Sequence, residues 1–344
     1  MDFSLTAEQE MIRDTARSFA DEELAPHAAR WDEMREFPHD AVAKLAELGF
    51  LGMMVDEKWG GAGLDTISYV LALEEISRGC ASTGVIMSVN NSLVCHPLET
   101  YGNDEQKEAF LKPLASGRQL GAYCLTEPQA GSDAGATKTV AVRDGDDWVI
   151  NGVKIFVTNG GAADQFVVYC STDPEKKTRG ISAFLVERTR PGVSLGTREK
   201  TMGIRASSTM EIIFQDVRVP GRNLIGEPNR GFKIAMETLN GGRIGIAAQA
   251  LGIARAAFER AVSYSQTRKQ FDVPISSFQA IQWKLAEMAT RLDAARLLTL
   301  RAAHLKDQGK DYAAAAAEAK LLASRVAVEV ADEAVQVHGG YGYV

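Results

Sequence analysis

Cysteine is scarce in this sequence of 344 residues, and its spacing excludes most cysteine chemistry. Cys80, Cys95, Cys124 and Cys170 form no CxxC pair, and no histidine lies at metal-ligand spacing from a cysteine or another histidine. We therefore expect reduced, partly buried thiols and no metal site.

Three further absences narrow the class of protein. No uninterrupted apolar run reaches the roughly 18 residues of a membrane helix. The chain has no basic block, and 38 Lys and Arg against 45 Asp and Glu give a net charge of −7, so nucleic-acid binding is not expected. The N-terminus has neither the apolar core of a signal peptide nor the Arg and Ser bias of a transit peptide. A cytoplasmic bacterial protein is expected, although a mature mitochondrial chain has the same features.

Changes of hydrophobic period along the chain predict an α+β fold. Residues 1–120 have helical spacing, with a capping-box pattern at Thr6-x-x-Gln9, and another helix is predicted to begin at Asn103-x-x-Gln106. Residues 121–230 contain several short runs with a period of two, which is typical of strands. Helical spacing returns after Gly231. We therefore predict an N-terminal helical domain (1–120), a middle β-barrel or sandwich domain (121–230) and a C-terminal helical bundle (231–344).

Two turn signals lie in the middle region. Asn151-Gly152 separates two short apolar runs and predicts a two-residue hairpin turn. Residues 144–147, Asp-Gly-Asp-Asp, lack the other ligands of a calcium loop and also predict a turn.

Three glycine-rich segments approach known catalytic or nucleotide-binding motifs without matching them. Residues 60–63 lack the GxGxxG spacing and follow no βαβ pattern, so a connecting loop is favoured. In the segment 131–135, Ser132 stands one place too early for a nucleophile elbow. His338 precedes two glycines and could be a base, but a histidine near the negative end of a helix dipole is the commoner role.

Three other segments have features of ligand-binding loops. In residues 123–133, Pro128 and Gly131 force an irregular path that exposes N–H groups able to bind a flat heterocycle, although such a loop alone is more often ordinary. In residues 264–279, Arg268 offers a planar fork for a diphosphate, and Gln279 can donate and accept together. Residues 336–340 allow close approach of backbone to a ligand, as glycine permits.

The sequence resembles the acyl-CoA dehydrogenases, a family of flavin enzymes, and most closely their short-chain (butyryl-CoA) branch. Each motif is weak alone, but six occur in order over essentially the whole chain. They are Leu-Thr-Glu-Pro at 125–128 with Gly-Ser-Asp at 131–133, Lys-Ile-Phe-Val-Thr-Asn at 154–159, Gly-Ile-Arg-Ala-Ser-Ser-Thr at 203–209, Arg-Ile-Gly-Ile-Ala at 243–247, the segment 268–279, and His-Gly-Gly-Tyr-Gly-Tyr at 338–343.

The resemblance implies an FAD bound between the β-domain and the C-terminal helices, and an acyl-CoA substrate. The residues implied to line the isoalloxazine are Tyr123, Leu125, Thr126, Gly131, Ser132, Phe156, Val157 and Thr158. Those implied to hold the ADP half, partly from a neighbouring subunit, are Arg268, Phe271, Gln279, Gln336, Val337, His338, Gly339 and Gly340. Those implied to contact acyl-CoA are Ser132, Asn240, Gly241, Gly242 and Arg243. The family often has Trp where Phe156 stands, and either ring can pack on a flavin.

The implied reaction is oxidation of a short-chain acyl-CoA to the trans-2-enoyl-CoA, with electrons passed to an electron-transfer flavoprotein. The family's habit implies a homotetramer built as a dimer of dimers. An oxidase on the same scaffold, acting on acyl-CoA or a nitroalkane, is the alternative within the enzyme class. The sequence does not specify the length or branching of the acyl chain.

No catalytic base is assigned within the 344 residues. In the short- and medium-chain branches the base is a glutamate in the segment after the Gly-Gly-x-Gly-Tyr motif, whereas this sequence stops at Val344. Other branches place a glutamate immediately before the arginine of the helix that follows the β-domain, and Gly242 occupies that position here. The favoured interpretation is a C-terminally truncated chain of an ordinary dehydrogenase. The alternative is a natural homologue that binds FAD and acyl-CoA without a base.

Overall fold

The computed structural model describes residues 4–344. Its first helix begins as the sequence predicts. The Thr6 side chain accepts a hydrogen bond from Gln9 N, and the Gln9 side chain accepts one from Thr6 N. The same reciprocal pair forms between Asn103 and Gln106. These boxes satisfy N–H groups that a helix start leaves without partners.

Helices form both ends of the described chain, and strands form its middle. The helices are α1 Ala7–Phe19, α2 Ala28–Met34, α3 His39–Glu47, α4 Thr66–Gly79, α5 Ala81–Ser88, α6 His96–Tyr101, α7 Asp104–Gln106, α8 Lys112–Ala115, α9 Gly231–Thr267, α10 Gln279–Asp307, α11 Ala313–His338 and α12 Gly340–Tyr343. The strands are β1 Gly121–Cys124, β2 Val140–Asp144, β3 Asp147–Val157, β4 Gln165–Ser171, β5 Ile181–Glu187, β6 Val193–Arg198, β7 Met210–Pro220, β8 Leu224–Ile225, β9 Lys269–Gln270 and β10 Val273–Pro274. This order confirms the predicted helical, β and helical architecture.

Contacts divide the chain into two compact units. The helical unit contains residues up to 28, 66–84 and 243–344, and the sheet unit contains residues 29–65 and 85–242. The predicted boundaries at 120 and 230 stay predictions. No helix within residues 4–344 has both the length and the apolar character that a membrane crossing requires.

One mixed sheet dominates the sheet unit. Its strand order is β6-β7-β3-β2-β4-β5-β8, and β1 pairs with β4 in parallel. Strand β4 is buried along its whole length, with Val167 and Tyr169 in one apolar cluster and Phe166 and Val168 in another. Since successive side chains of a strand point to opposite faces, both faces of the sheet are covered at β4.

The predicted hairpin turn at Asn151-Gly152 is wrong. Strand β3 runs straight through these residues, and the turn to β2 lies at 144–147, where Gly145 has a φ of +64°. Gly152 instead lies beside a register shift, and a Cβ there would lie 2.3 Å from Thr139 Oγ1. The glycine is therefore explained by a bulge and a close approach, which give the same sequence signal as a turn.

Candidate functional site

Strand β1 is fixed at its first residue by two buried asparagines. Gly121 N donates to Asn90 Oδ1 at 2.9 Å, and Gly121 O accepts from Asn159 Nδ2 at 3.2 Å. Asn90 lies in a π-helical turn after α5, and its Nδ2 also donates to Leu51 O at 2.8 Å. Both asparagines are buried, so water does not compete for these bonds. They set where the predicted binding segment 123–133 begins.

The segment after β1 makes a tight turn that exposes backbone. Glu127 and Ala130 exchange two backbone hydrogen bonds of 3.1 Å, and Pro128 lies between them. Gly131 and Ser132 follow and are exposed. A Cβ at Gly131 would meet nothing within 4 Å, so this chain's own packing does not require glycine there. The turn leaves open space beside exposed backbone, as a ligand-binding loop does.

The end of β3 lies against this segment. Ile155 N donates to Thr126 O at 2.9 Å. Phe156 then takes a left-handed φ of +57° at a register shift, and its side chain is 59% exposed. Val157 returns to the core with 1% exposure, and Thr158 is half-buried. A left-handed backbone costs a residue like Phe about 1–3 kcal/mol, and such strain concentrates at binding sites.

The structure therefore joins the predicted segments 125–126 and 155–158, whereas the Tyr123 side chain packs against one apolar cluster of the sheet unit and Val157 belongs to the other. Tyr123 packs its ring against Tyr169, with centroids 5.0 Å apart. Burial, together with the neighbouring Tyr169, holds the pKa of the Tyr123 hydroxyl well above its usual value. Tyr123 is neutral over the physiological range and is not placed to act as a base.

A buried ion pair behind these segments has no counterpart among the residues predicted for the site. Lys154 Nζ lies 2.7 Å from Glu127 Oε1, and their side chains are 0% and 1% exposed. Burial raises the pKa of Glu127, but the charge and hydrogen bond of Lys154 outweigh burial and hold it below its usual value. A lysine among the apolar residues of a strand signals a buried partner. The pattern of one strand cannot say which residue that partner is.

The predicted residues 268–279 of the helical unit form a small hairpin. Strands β9 and β10 pair across a turn in which Phe271 and Asp272 have φ values of +52° and +65°. Phe271 is 89% exposed at the tip. Arg268 is the residue just before β9, and Gln279 is the exposed first residue of α10.

A cavity of about 420 Å³ lies between this hairpin and the predicted residues 336–340. Tyr264 and His338 stack with centroids 4.4 Å apart, and His338 Nδ1 donates to Ala334 O at 2.7 Å. Gly339 has a φ of +60°, and neither it nor Gly340 would bring a Cβ within 4 Å of another atom. The residues that line the cavity include Tyr264, Arg268, Gln270, Val337, His338 and Gly339. Gln336 precedes these on α11 and is exposed.

Arg268 gives this cavity a positive charge that the chain does not neutralise. Its guanidinium carbon lies 5.8 Å from the centroid of the Tyr341 ring. Within residues 4–344 it forms no ion pair, and Asp272 is not its partner. A planar cation in a cavity with flanking aromatic rings suits a diphosphate with an attached heterocycle.

The sheet unit has a second cavity, also of about 420 Å³, which is lined by residues that come after Ser132 in the chain. Asp133, Thr137, Lys138, Ser171, Lys177 and Thr178 are among its lining residues. Two lysines and three hydroxyl groups provide donors for an anionic ligand.

The remaining predicted residues lie on α9. Gly241 and Gly242 are buried, whereas Asn240 and Arg243 are half-buried. A Cβ at Gly242 would lie 2.8 Å from Leu93 Cδ2, so a larger residue requires the Leu93 side chain to move.

Three family models match consecutive parts of the chain. They describe the N-terminal domain of acyl-CoA dehydrogenase at residues 6–118, the middle domain at 122–217 and the C-terminal domain at 229–344. The short-chain-specific acyl-CoA dehydrogenase of Clostridium acetobutylicum is 51% identical over 343 residues, which are 100% of this chain and 90% of that enzyme.

Two solved structures superimpose on the chain. Butyryl-CoA dehydrogenase from Megasphaera elsdenii has a TM-score of 0.98 and 46% identity, covering 100% of this chain and 91% of that one. A chain in a structure of the electron transferring flavoprotein of Acidaminococcus fermentans, described in connection with flavin-based electron bifurcation, has a TM-score of 0.99 and 50% identity. This match covers 100% of the present chain and 90% of that one.

Proposed function

The chain belongs to the acyl-CoA dehydrogenase family, and we propose that it oxidises a short-chain acyl-CoA between Cα and Cβ with FAD as its cofactor. The main structural support is that the hydrogen bond from Ile155 N to Thr126 O joins the motif segments 125–128 and 154–159. This bond sets an exposed aromatic ring, Phe156, beside a loop of accessible backbone.

The described residues fit FAD. Phe156 offers a ring face, and Gly131 leaves open space beside exposed backbone, as an isoalloxazine requires. Arg268 has an unneutralised charge for the diphosphate, and the Tyr264–His338 stack continues the cavity wall. The chemistry that bound FAD would supply is acceptance of the β-hydrogen of the substrate as hydride. The protein holds FAD and acyl-CoA, excludes water and provides the acid–base groups.

We propose that the nucleotide end of CoA occupies the cavity beyond Ser132. Lys138 and Lys177 line it and match the phosphate charges of that end. Asn240 and Arg243 on α9 are proposed to contact the rest of the substrate. The relatives named for butyryl-CoA and short-chain substrates support a short acyl group.

The base that removes the α-proton is not among Ser132, Asn240, Gly241, Gly242 and Arg243, since none of them is a carboxylate, and Asp133 lines the cavity proposed for the far, nucleotide end of CoA. Glu127, in the neighbouring loop, is unsuited because its carboxylate already accepts from Lys154 and is 1% exposed. We propose that the base is the family's glutamate in the segment that follows the motif ending at Tyr343. A general base contributes about a hundredfold to ten-thousandfold in rate.

We propose an electron-transfer flavoprotein as the electron acceptor, in line with the superimposed chain from Acidaminococcus fermentans. A homotetramer is proposed because α10 and α11 expose several large apolar side chains, namely Trp283, Leu297, Leu321 and Val328. Location in the bacterial cytoplasm stays a prediction.

Reduction by butyryl-CoA without oxygen, followed by exposure to air, tests the reaction type in the FAD-loaded protein extended through the glutamate segment. A dehydrogenase is expected to lose its yellow colour and to regain it slowly in air but quickly with an electron-transfer flavoprotein. Rapid recovery in air with peroxide formed would identify an oxidase. A protein that binds FAD and butyryl-CoA yet keeps its colour, even with the glutamate segment attached, would be a silent binding protein.

A further inference from the structure

Glu127 uses every acceptor position of its carboxylate inside the protein. Oε1 accepts from Lys154 Nζ at 2.7 Å and Thr139 N at 3.0 Å. Oε2 accepts from Lys138 N at 2.7 Å and Gln129 Nε2 at 2.6 Å. All four partners are donors. Glutamine cannot replace glutamate here, because its amide nitrogen would face donors and cannot accept.

Lys154 extends this arrangement to the loop. Its Nζ also donates to Leu125 O at 3.0 Å, and Ile155 N, on the next residue, donates to Thr126 O at 2.9 Å. Lys154 stands two residues before Phe156, and Glu127 stands one residue after Thr126. The pair therefore ties together the two segments that are proposed to line the flavin.

Stability alone is a weak reason for such a pair. Taking two charges out of water offsets much of their attraction, and apolar residues of similar volume often stabilise a core equally well. A buried pair with directional bonds does, however, specify one geometry among several. The geometry held here includes a left-handed Phe156, which the local sequence disfavours.

We propose that Lys154 and Glu127 are positioning residues for the isoalloxazine half of the FAD site, holding residues 125–126 and 155–158 in the binding geometry before the cofactor arrives. The proposal rests on the proposed function as an FAD enzyme. A site that is already ordered avoids the entropy cost of ordering on binding. Loss of the pair is therefore expected to weaken FAD binding and to alter the flavin environment, in addition to any effect on folding.

The test compares Lys154→Met with the unchanged protein and with Glu75→Gln as a control. Glu75 is equally buried and ion-paired, with Arg17, Arg78 and Arg255, but none of these belongs to the residues proposed to hold FAD. The FAD dissociation constant and the visible absorption of bound FAD are measured well below the unfolding temperature of each protein. Lys154→Met is expected to bind FAD roughly tenfold to a hundredfold more weakly, with a changed absorption band. Glu75→Gln is expected to unfold at a lower temperature with both readouts unchanged.

Gln129→Ala is a second variant for the case in which Lys154→Met does not fold. Gln129 is exposed, so its loss removes one donor to Glu127 without opening the core. About a fivefold loss of FAD affinity is expected. In the apoprotein, the amides of Lys138 and Thr139 are expected to exchange slowly with deuterium, and faster in both variants.

The outcomes separate this proposal from the proposed function. Unchanged FAD affinity and spectrum in folded Lys154→Met, or in Gln129→Ala with faster exchange, would overturn the positioning role while leaving the enzyme assignment intact. An equal loss of FAD affinity in Glu75→Gln would also overturn it, because the effect would then follow stability. If the unchanged protein binds no FAD, the proposed function fails first.

Discussion

The guanidinium of Arg268 lies over the ring of Tyr341, 5.8 Å from carbon to centroid, at the edge of a cavity that also contains the stacked rings of Tyr264 and His338. Among the residues that the structure describes, Arg268 has no carboxylate partner in an ion pair. Its charge is thus available to an anion.

Arg268→Ala is expected to weaken FAD binding roughly tenfold to a hundredfold, because a charge-assisted contact contributes about 1.5–3 kcal/mol. The unfolding temperature of the apoprotein should change little, since no ion pair is lost. Arg260→Ala, at an exposed position on helix α9, which ends just before Arg268, is the control and should retain FAD fully. Fluorescence titration measures the FAD affinity of both variants. A fully yellow Arg268→Ala protein with unchanged FAD affinity would show that Arg268 does not bind the cofactor.

A buried carboxylate, Glu75, joins three arginines in the helical unit. Arg255 Nη1 lies 2.6 Å from Glu75 Oε1, and the Glu75 side chain is 1% exposed. Glu75→Gln is expected to lower the free energy of unfolding by about 3 kcal/mol, because it removes the buried carboxylate charge that Arg17, Arg78 and Arg255 share. Glu259→Gln removes another partner of Arg255, but Glu259 is 43% exposed, so less than about 1 kcal/mol is expected. Urea unfolding of both variants measures the difference.

The same carboxylate predicts a dependence of stability on pH. Burial raises the pKa of Glu75, but hydrogen bonds and charge from Arg17 and Arg255 outweigh burial and hold it below its usual 4.5. A carboxylate whose pKa is lower in the folded than in the unfolded state stabilises the protein at any pH above the unfolded-state pKa. This stabilisation is lost as the pH falls through the folded-state pKa. The free energy of unfolding should be steady down to about pH 5 and fall below it. Glu75→Gln should reduce that fall, and an identical acid curve for the two proteins would contradict the assignment.

The exposed apolar face of α10 and α11 predicts assembly. Trp283 is 67% exposed and Val328 is 70% exposed. Val328→Glu introduces a charge on this face and is expected to shift the tetramer towards smaller species, because burying an unpaired charge at an interface is costly. Sedimentation velocity measures the shift. Met34→Glu changes an equally exposed apolar residue on α2 and should leave the tetramer intact. A strictly monomeric unchanged protein that holds FAD would contradict the proposed assembly.

Local sequence signals predicted the fold well where the chemistry is local. The Thr6–Gln9 capping box forms as predicted, and a helix begins at Asn103 as predicted, since both signals involve residues three apart. The Asn151-Gly152 signal failed because a bulge opposite β7 and a close approach to Thr139 have the same residue preference as a turn.

The ion pair of Lys154 and Glu127 could not be predicted as a pair. The two residues are 27 apart and meet only after β1 and β3 have packed. Likewise, the positive φ of Phe156 depends on the register between β3 and β7, which no single segment specifies. The family motifs predicted which segments form the site. The structure shows that the Lys154–Glu127 pair connects the two segments of the sheet unit.

Gly242→Glu places a carboxylate immediately before Arg243, where other branches of the family have their base. Partial recovery of turnover is expected from the 344-residue chain, well below that of an ordinary family member, because a base displaced by about 1 Å loses roughly a hundredfold. Leu93 must move to admit the side chain, so adding Leu93→Ala should improve the recovery. Gly242→Gln, of similar volume but without a basic carboxylate, should recover nothing. Equal rates for Gln and Glu would exclude a base at this position.

Anaerobic bleaching of bound FAD by butyryl-CoA tests the central claim most directly. It should be measured for the 344-residue chain and for a form extended through the segment in which the family has its glutamate. The extended form should bleach rapidly, and the 344-residue form should bind butyryl-CoA but bleach about a hundredfold to ten-thousandfold more slowly. An extended form that binds butyryl-CoA and stays yellow would contradict the dehydrogenase assignment. Equal rates for the two forms would show that a residue within the 344 is the base and that the account of the acid–base chemistry is wrong.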